Sequence, residues 1–377
     1  MTSHYAIKDW RLIGASAHGA KHILEEKPNQ DRGMYFNQNR VMPFPPDDTI
    51  NETIINLPII LAVADGHGAQ IHFRSEKGAE IAVDTAIDVC KKLENSSFNS
   101  IKDSKIKEWL CRDIYRRWVE KVQINIDKNP FSENEKILLR KKVEPKIPQL
   151  VNDNNELLAY GSTILTIIIH DTFILFLQLG DGNIFVINQD GTTDRPIPDD
   201  DRFVGTETTS LCLPEAWYEF KVKLIEITNN SDYPLMVLLS TDGLEGSYRE
   251  GLLDRGLNRF CSDIVTIVCE HTDGIHAGLD NINESLLNWL NSISKTGIGD
   301  DTTVGIIFNI PQIIKYRNSN YDIIIKKKSI ELPIEEKLPK NEITPQNPEI
   351  RLGFETPLNE KNETISEPNE QIVDCIK

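Results

Sequence analysis

The arrangement of apolar and polar positions predicts a mixture of strands and helices over the first 310 residues. Short apolar runs bounded by turn residues are typical of strands, and such runs cover residues 57–64, 162–169, 172–179, 184–188, 220–227, 235–240 and 302–309. Apolar residues repeated at helical spacing predict helices over about 75–93, 106–124, 255–269 and 281–293. The turns at 170–171 and 180–183 are so short that we expect the strands on either side of each to pair antiparallel.

These elements predict an α+β fold. The strands and the flanking helices are both apolar, so each sheet needs cover on both faces. Two antiparallel β-sheets sandwiched between layers of helices, a four-layer α-β-β-α arrangement, meet that requirement. The helix-rich segments 75–148 and 255–293 would supply the outer layers.

The composition changes near residue 311, and we expect the main folded domain to span residues 1–310. Residues 311–330 place an apolar run before Lys326-Lys327-Lys328, which fits either an extra edge strand or a linker. Residues 331–377 contain six prolines, eleven acidic residues and five basic residues. Such a segment buries too little apolar surface to offset its ordering entropy, so we expect a flexible acidic tail.

The balance of acidic and basic residues limits the classes of partner that the chain could bind. The chain has 41 Lys and Arg residues against 58 Asp and Glu residues, a formal net charge of −17. This argues against a nucleic-acid partner, because phosphate backbones require clustered positive charge.

The six cysteines form no Cys-x-x-Cys pair, which favours a reducing, cytoplasmic compartment. We expect neither a signal peptide nor a membrane-spanning segment.

Candidate chemistry lies in acidic turns at the ends of apolar runs. Asp65, Asp181 and Asp242 each follow a predicted strand, and Asp300-Asp301 precedes another. Taken singly, an Asp-Gly pair is more often a turn than a ligand. Carboxylates that converge unpaired repel each other, so a converging set requires a compensating cation. Hard oxygen ligands favour Mg²⁺ or Mn²⁺ over Zn²⁺.

Six motifs in order along the chain resemble those of the protein phosphatase 2C family of metal-dependent serine/threonine phosphatases. They are Pro28-Asn29-Gln30-Asp31, Ala64-Asp65-Gly66-His67-Gly68, Tyr160-Gly161-Ser162-Thr163, Leu179-Gly180-Asp181-Gly182, Leu239-Ser240-Thr241-Asp242-Gly243-Leu244 and Gly299-Asp300-Asp301-Thr302-Thr303. The resemblance spans about residues 8–310. It implies two antiparallel sheets between pairs of helices, in agreement with the layered prediction.

The resemblance implies a metal-binding role for several of these residues. Asp65 matches the aspartate that bridges two metal ions, and the backbone carbonyl of Gly66 matches a ligand of the second ion. Asp242 and Asp300 match the aspartates that complete the shell of the first ion, and Asp301 is the alternative to Asp300. Asp181 matches a residue at a third, more weakly bound ion of bacterial relatives, with a plain hairpin turn as the alternative.

Two further residues match groups that act on water and on the leaving group. Asp31 matches an acid that orients the attacking water. His67 matches a candidate proton donor to the leaving alkoxide, although it could simply cap a helix or bond a carboxylate. The implied activity is hydrolysis of phosphoserine and phosphothreonine by a water or hydroxide that bridges two Mg²⁺ or Mn²⁺ ions. The implied partners are a phosphorylated protein substrate and an opposing serine/threonine kinase.

One departure from the family pattern concerns the substrate phosphate. Typical members carry a phosphate-gripping arginine a few residues before the Asn-Gln-Asp motif, and residues 19–31 contain none. The chain therefore resembles a divergent bacterial-type branch in which a histidine occupies this region. Lys21, His22 or Lys27 could contact phosphate, but none offers the bidentate fork of an arginine. This leaves two alternatives open: a catalytically weak or silent relative that acts as a phosphoprotein-binding or regulatory scaffold, and a hydrolase of another phosphoester.

Overall fold

The computed structural model describes residues 10–93, 103–143, 155–198, 208–247 and 253–330. Its strands are β1 Trp10–Ala17, β2 Arg32–Asn37, β3 Arg40–Pro43, β4 Thr49–Ile55, β5 Ile59–Ala64, β6 Ile164–Ile169, β7 Phe173–Leu179, β8 Asn183–Ile187, β9 Thr193–Asp194, β10 Lys221–Glu226, β11 Met236–Ser240 and β12 Thr302–Asn309. Its helices are α1 Ala20–Leu24, α2 Ser75–Cys90, α3 Asp103–Ile106, α4 Arg112–Lys128, α5 Glu133–Val143, α6 Leu253–Glu270, α7 Ile275–Thr296 and α8 Ile310–Ile330. A π-helical turn, Lys107–Cys111, joins α3 to α4.

The strands form two six-stranded antiparallel sheets, which confirms the predicted α+β sandwich. One sheet has the order β4-β1-β12-β11-β8-β9, and the other has the order β10-β7-β6-β5-β2-β3. Helices α6 and α7 pack on the first sheet, and α2 and α4 pack on the second. The layers therefore follow the order helix, sheet, sheet, helix.

Strand β5 shows why the strands read as continuous apolar runs. Leu61 and Val63 pack in the core between the two sheets, whereas Ile60 and Ala62 face the helical layer of α2 and α4. All four side chains are buried. A strand covered on both faces has no polar side, so its sequence loses the period-2 alternation.

The turn between β7 and β8 departs from expectation. These strands do not pair with each other: β7 pairs with β6 and β10, and β8 pairs with β11 and β9. The expectation of antiparallel pairing across residues 180–183 is therefore wrong. Gly180 has a φ of +110°, and a Cβ on Gly182 would lie 2.6 Å from the Ser240 carbonyl oxygen. The turn carries the chain from one sheet to the other, and it leaves Asp181 between them.

Residues 311–330 form neither an extra strand nor a linker, because they belong to the helix α8. This helix begins directly after Asn309, the last residue of β12, whose Oδ1 accepts a hydrogen bond from the Gln312 amide at 3.3 Å. Ile310 and Ile313 pack against the core beneath α6 and α7. Packing of this first turn outweighs the strand preference of the β-branched residues that follow. The predicted tail, residues 331–377, lies outside the described residues.

Within the described ranges, no helix is both long enough and apolar enough to cross a membrane.

Candidate active site

Five aspartates from distant parts of the chain lie at the same end of the two sheets. They are Asp31, Asp65, Asp181, Asp242 and Asp300. Asp31 directly precedes β2 and Asp65 directly follows β5, whereas Asp181, Asp242 and Asp300 lie two positions from the ends of β7, β11 and β12. Strand ends are held by the sheet, so their side chains are placed with little freedom.

The strand register explains this convergence. Arg32 pairs with Ala64, so Asp31 and Asp65 lie side by side at the same end of two neighbouring strands. In the other sheet, Ser240 pairs with both Asn183 and Val304. Asp181, Asp242 and Asp300 therefore sit near the neighbouring ends of three adjacent strands. The antiparallel pairing thus brings the predicted metal ligands to one place.

The electrostatics of the cluster are those of unneutralised carboxylates. Burial, and then the charge of Asp31, raises the pKa of Asp65 well above its usual value. Burial, and then the charge of Asp65, does the same for the pKa of Asp242. Burial also raises the pKa of Asp31, Asp181 and Asp300. A cation with hard oxygen preference would relieve this repulsion, so the donor set fits Mg²⁺ or Mn²⁺.

Asp31 is oriented by a buried threonine that sequence reasoning did not single out. Thr241 Oγ1 lies 2.6 Å from Asp31 Oδ2, and it accepts a hydrogen bond from the Thr303 amide at 2.9 Å. The Thr241 hydroxyl therefore directs its proton to Asp31. Asn29 Oδ1 accepts a hydrogen bond from the Asp31 amide at 2.9 Å. These contacts hold one carboxylate oxygen of Asp31 and restrict the direction of the other.

The Asp65-Gly66 turn is enclosed on both sides. Thr163 Oγ1 accepts a hydrogen bond from the Asp65 amide, and the Thr163 amide donates to the Asp65 carbonyl, both at 2.9 Å. A Cβ on Gly66 would lie 2.7 Å from the Ser75 carbonyl oxygen and 2.8 Å from that of Gln30. A side chain at this position would therefore clash with the backbone of two neighbouring segments.

His67 follows this turn and lies beside a second histidine, His72. Burial, and then the nearby His72, lowers the pKa of His67 to about 3. The two rings lie 5.0 Å apart between centroids, and the His67 amide donates to the Gly161 carbonyl at 3.1 Å. An imidazole with this pKa carries no spare proton at neutral pH. A dianionic phosphate beside the ring would raise its pKa and so favour the proton-donor role.

Asp300 and its neighbour Asp301 have different environments. The Asp301 side chain is 2% exposed and that of Asp300 is 39% exposed. Asp301 Oδ1 accepts a hydrogen bond from the Gly19 amide, and Oδ2 accepts one from the Gln30 amide, both at 2.6 Å. The oxygens of Asp301 are thus engaged by backbone donors, whereas Asp300 interacts with the other carboxylates of the cluster.

The three candidate phosphate contacts also differ in their surroundings. Lys27 forms an ion pair with Glu25 at 2.7 Å. His22 is buried, with Nδ1 2.8 Å from Asp301 Oδ2, and this hydrogen bond raises the pKa of His22 against the opposing effect of burial. Lys21 is exposed, and its charge only slightly opposes the burial that raises the pKa of Asp300. Of the three, Lys21 is the one that lies near Asp300 and makes no ion pair with another described residue.

His22, Asp300 and Asp301 offer potential ligand atoms within 4.8 Å of one another. This trio is nevertheless a poor ion site in its present arrangement. Both Asp301 oxygens and His22 Nδ1 already take part in hydrogen bonds. We therefore place the candidate metal centre at the aspartate cluster and treat the trio as a hydrogen-bonded chain beside it.

The comparisons with known proteins agree with the architecture. A family model described as protein phosphatase 2C matches residues 18–291, and the chain belongs to this family of phosphatases. A comparison with curated proteins found no match.

A comparison with solved structures found several similar chains at low identity. The Mycobacterium tuberculosis serine/threonine phosphatase PstP/Ppp is 13% identical, with a TM-score of 0.42 over 80% of this chain and 98% of that chain. Stp1 from Staphylococcus aureus is 14% identical, with a TM-score of 0.40 over 79% of this chain and 94% of that chain. A sex-determining protein of C. elegans is 16% identical, with a TM-score of 0.46 over 81% of this chain and 67% of that chain. The catalytic domain of PstP, 14% identical over 79% of this chain and 98% of that chain with a TM-score of 0.42, was crystallised in complex with two manganese ions.

Proposed function

We propose that the chain is a metal-dependent protein serine/threonine phosphatase that hydrolyses phosphoserine and phosphothreonine monoesters. The observation that carries this proposal is the convergence of Asp65, Asp242 and Asp300, with raised pKa values, at one end of a family fold. A chain without a cation to bind gains nothing from holding these carboxylates together, because their mutual repulsion destabilises the folded state.

We assign the cation ligands as the resemblance implies. Asp65, the Gly66 carbonyl, Asp242 and Asp300 would hold two Mn²⁺ or Mg²⁺ ions, and Asp181 would contact a third. Asp301 would serve the site indirectly. Such cations lower the pKa of water and neutralise charge that develops on the phosphoryl oxygens.

The chain's own residues would carry out the remaining steps. Asp31, with one oxygen held by Thr241, would accept a hydrogen bond from the attacking water and aim it at phosphorus. A new P–O bond forms to the water oxygen as the P–O bond to the serine or threonine oxygen breaks. His67 would give its proton to the leaving oxygen, and Lys21 would bind a phosphate oxygen in place of the missing arginine.

The first experiment measures phosphate release from a phosphopeptide by the full chain with Mn²⁺, and again with excess chelator. We expect activity only with the metal, and its loss in Asp65→Asn and Asp242→Asn. The matched control is Asp190→Asn, because Asp190 stands in an exposed Asp-Gly turn outside the cluster. Activity that survives both the chelator and the two cluster substitutions would refute the proposal.

A second candidate, a scaffold that binds phosphoproteins without turnover, is motivated by the phosphate-binding region. Residues 19–31 contain no arginine, and His22 and Lys27 are engaged by Asp301 and Glu25. Calorimetry distinguishes the two functions. A scaffold would bind a phosphopeptide but would neither bind Mn²⁺ nor release phosphate. For the remaining alternative, a hydrolase of another phosphoester, the measurement is phosphate release from a panel of phosphoesters.

A cytoplasmic location and an opposing serine/threonine kinase belong to the same proposal, and they rest on the cysteine usage and on the family respectively.

A further inference from the structure

The ring of His22 lies between two acidic side chains beside the aspartate cluster. Its Nδ1 is 2.8 Å from Asp301 Oδ2 and its Nε2 is 3.5 Å from Asp300 Oδ1. The residue is 7% exposed. A buried ring that faces a carboxylate with each nitrogen has little freedom to turn toward a substrate.

The backbone around His22 is anchored as well. Within and before the short helix α1, the Ala20 amide donates to Ser294 Oγ at 2.9 Å, and the Lys21 amide donates to the Gly299 carbonyl at 2.9 Å. A Cβ on Gly19 would lie 2.5 Å from the Asp300 carbonyl carbon. The segment that carries His22 is thus packed directly against the segment that carries Asp300.

Asp301 provides the fixed end of this chain of contacts. Its two oxygens accept hydrogen bonds from the Gly19 and Gln30 amides at 2.6 Å. Two backbone donors set the position of the carboxylate, and the carboxylate in turn sets the orientation of the His22 ring. The same logic holds where an outer carboxylate orients the imidazole next to a metal.

Asp300 is the more exposed end of this chain of contacts. Its side chain is 39% exposed, and its Oδ1 accepts a hydrogen bond from the Asp301 amide at 2.9 Å. The same oxygen faces His22 Nε2 at 3.5 Å. Without the ring, a half-exposed carboxylate would rotate about its side-chain bonds and would have to be ordered again whenever a cation binds.

We propose that His22 is a positioning residue that orients Asp300 toward the cation, and that it is not the phosphate contact. This inference rests on the proposed function, because it takes Asp300 as a cation ligand. Removal of an outer partner of a metal ligand weakens metal binding by about 10- to 100-fold. We expect a loss in that range when His22 is replaced.

The test is calorimetric titration of Mn²⁺ into the metal-free full chain, for the wild type, His22→Ala and His22→Asn. An asparagine at this position retains an amide near Nδ1 for Asp301 and has no donor near Nε2 for Asp300. We expect both variants to bind Mn²⁺ about 10-fold or more weakly, with the number of bound ions unchanged. Thermal unfolding in chelator shows whether each variant is folded, and His22→Asn keeps the test valid if His22→Ala does not fold.

The matched control is His18→Asn. His18 precedes α1 and its Nε2 lies 2.9 Å from the Lys27 carbonyl oxygen, so the substitution perturbs the same loop without touching Asp300. We expect wild-type affinity for Mn²⁺. A control that loses as much affinity as His22→Asn would show that loop integrity, and not the ring, is responsible.

Three further outcomes would overturn the inference. If His22→Asn binds Mn²⁺ as tightly as the wild type, the ring contacts Asp301 alone and does not orient Asp300. A lost ion in the titration would make His22 a ligand. A raised KM for phosphopeptide at saturating Mn²⁺ would make it a phosphate contact. If the wild type itself binds no Mn²⁺, the proposed function fails and takes the inference with it.

Discussion

The turn after β11 and the turn after β8 both contain Asp-Gly, but their environments are opposite. Asp242 begins the 3-10 helix that follows β11, and burial with the charge of Asp65 raises its pKa. Asp190 lies in the exposed hairpin turn between β8 and β9, where hydrogen bonds from Thr192 lower its pKa. The dipeptide therefore carries no chemistry by itself. What separates the candidate ligand from the turn residue is the end of the sheet at which each lies.

The largest expected difference between the two turns is in catalysis. Asp242→Asn should reduce metal-dependent phosphopeptide hydrolysis by more than about 100-fold, because a ligand matters at least as much as its outer partners. Asp190→Asn should retain wild-type activity. The measurement is initial rate at saturating Mn²⁺ for each purified variant. Similar losses in both variants would remove the distinction between the turns.

The same pair should also differ in the sign of its effect on stability in chelator. Asp242→Asn removes one of several repelling carboxylates, so we expect the midpoint of thermal unfolding to rise. Asp190→Asn weakens a turn, so we expect its midpoint to fall. Differential scanning in excess chelator at neutral pH tests both signs. A lower midpoint for Asp242→Asn would mean that repulsion within the cluster is not what the carboxylates contribute.

A threonine beside each aspartate sharpens the comparison. Thr241 Oγ1 lies 2.6 Å from Asp31 in the buried site, whereas Thr192 Oγ1 lies 2.7 Å from Asp190 on the surface. A hydrogen bond to a buried charge contributes about 1.5–3 kcal/mol, so Thr241→Val should lower kcat about 10-fold or more. Thr192→Val should leave kcat unchanged. Equal kcat values for the two variants would show that Asp31 needs no orienting partner.

The two lysines of the region that lacks the arginine should differ by a smaller factor. Lys21→Ala should raise the KM for phosphopeptide about 5-fold, the loss of one exposed charge contact of about 1 kcal/mol. Lys27→Ala breaks only a surface ion pair with Glu25 and should leave KM within about 2-fold. The comparison uses Mn²⁺ at saturation so that metal affinity does not contribute. An effect confined to Lys27 would reassign the phosphate contact.

The predictable parts of the molecule are those that depend on local pattern. Strands buried on both faces, such as Ile59–Ala64, appear in the sequence as continuous apolar runs. The acidic residues next to these runs can therefore be placed at strand ends from the sequence alone. Strand β1 was missed because its run contains Arg11, which is buried through an ion pair with Asp280, 269 positions away. Helix α8 was missed because its isoleucine-rich stretch resembles a strand.

The contacts that organise the candidate site could not be predicted from the sequence, because they too join residues that are far apart along the chain. His22 and Asp301 are 279 positions apart, and Thr241 and Asp31 are 210 positions apart. No spacing rule relates such residues, because only the completed sheets bring them together. Sequence patterns therefore predict candidate ligand positions, whereas the residues that contact those candidates are found only in the three-dimensional structure.

The smallest expected effect concerns the pH dependence of the exposed turn. Hydrogen bonds from the Thr192 hydroxyl and amide favour ionised Asp190 and lower its pKa in the folded state. A carboxylate whose pKa is lowered on folding stabilises the protein above its unfolded pKa, and that contribution is lost as the pH falls through the folded pKa. The unfolding midpoints of wild type and Asp190→Asn in chelator should therefore differ slightly at pH 7 and converge in acid. Asp242 has the opposite pKa shift, so a midpoint for Asp190→Asn that lies above that of the wild type at pH 7, with a gap that closes in acid, would show that Asp190 behaves as the cluster does.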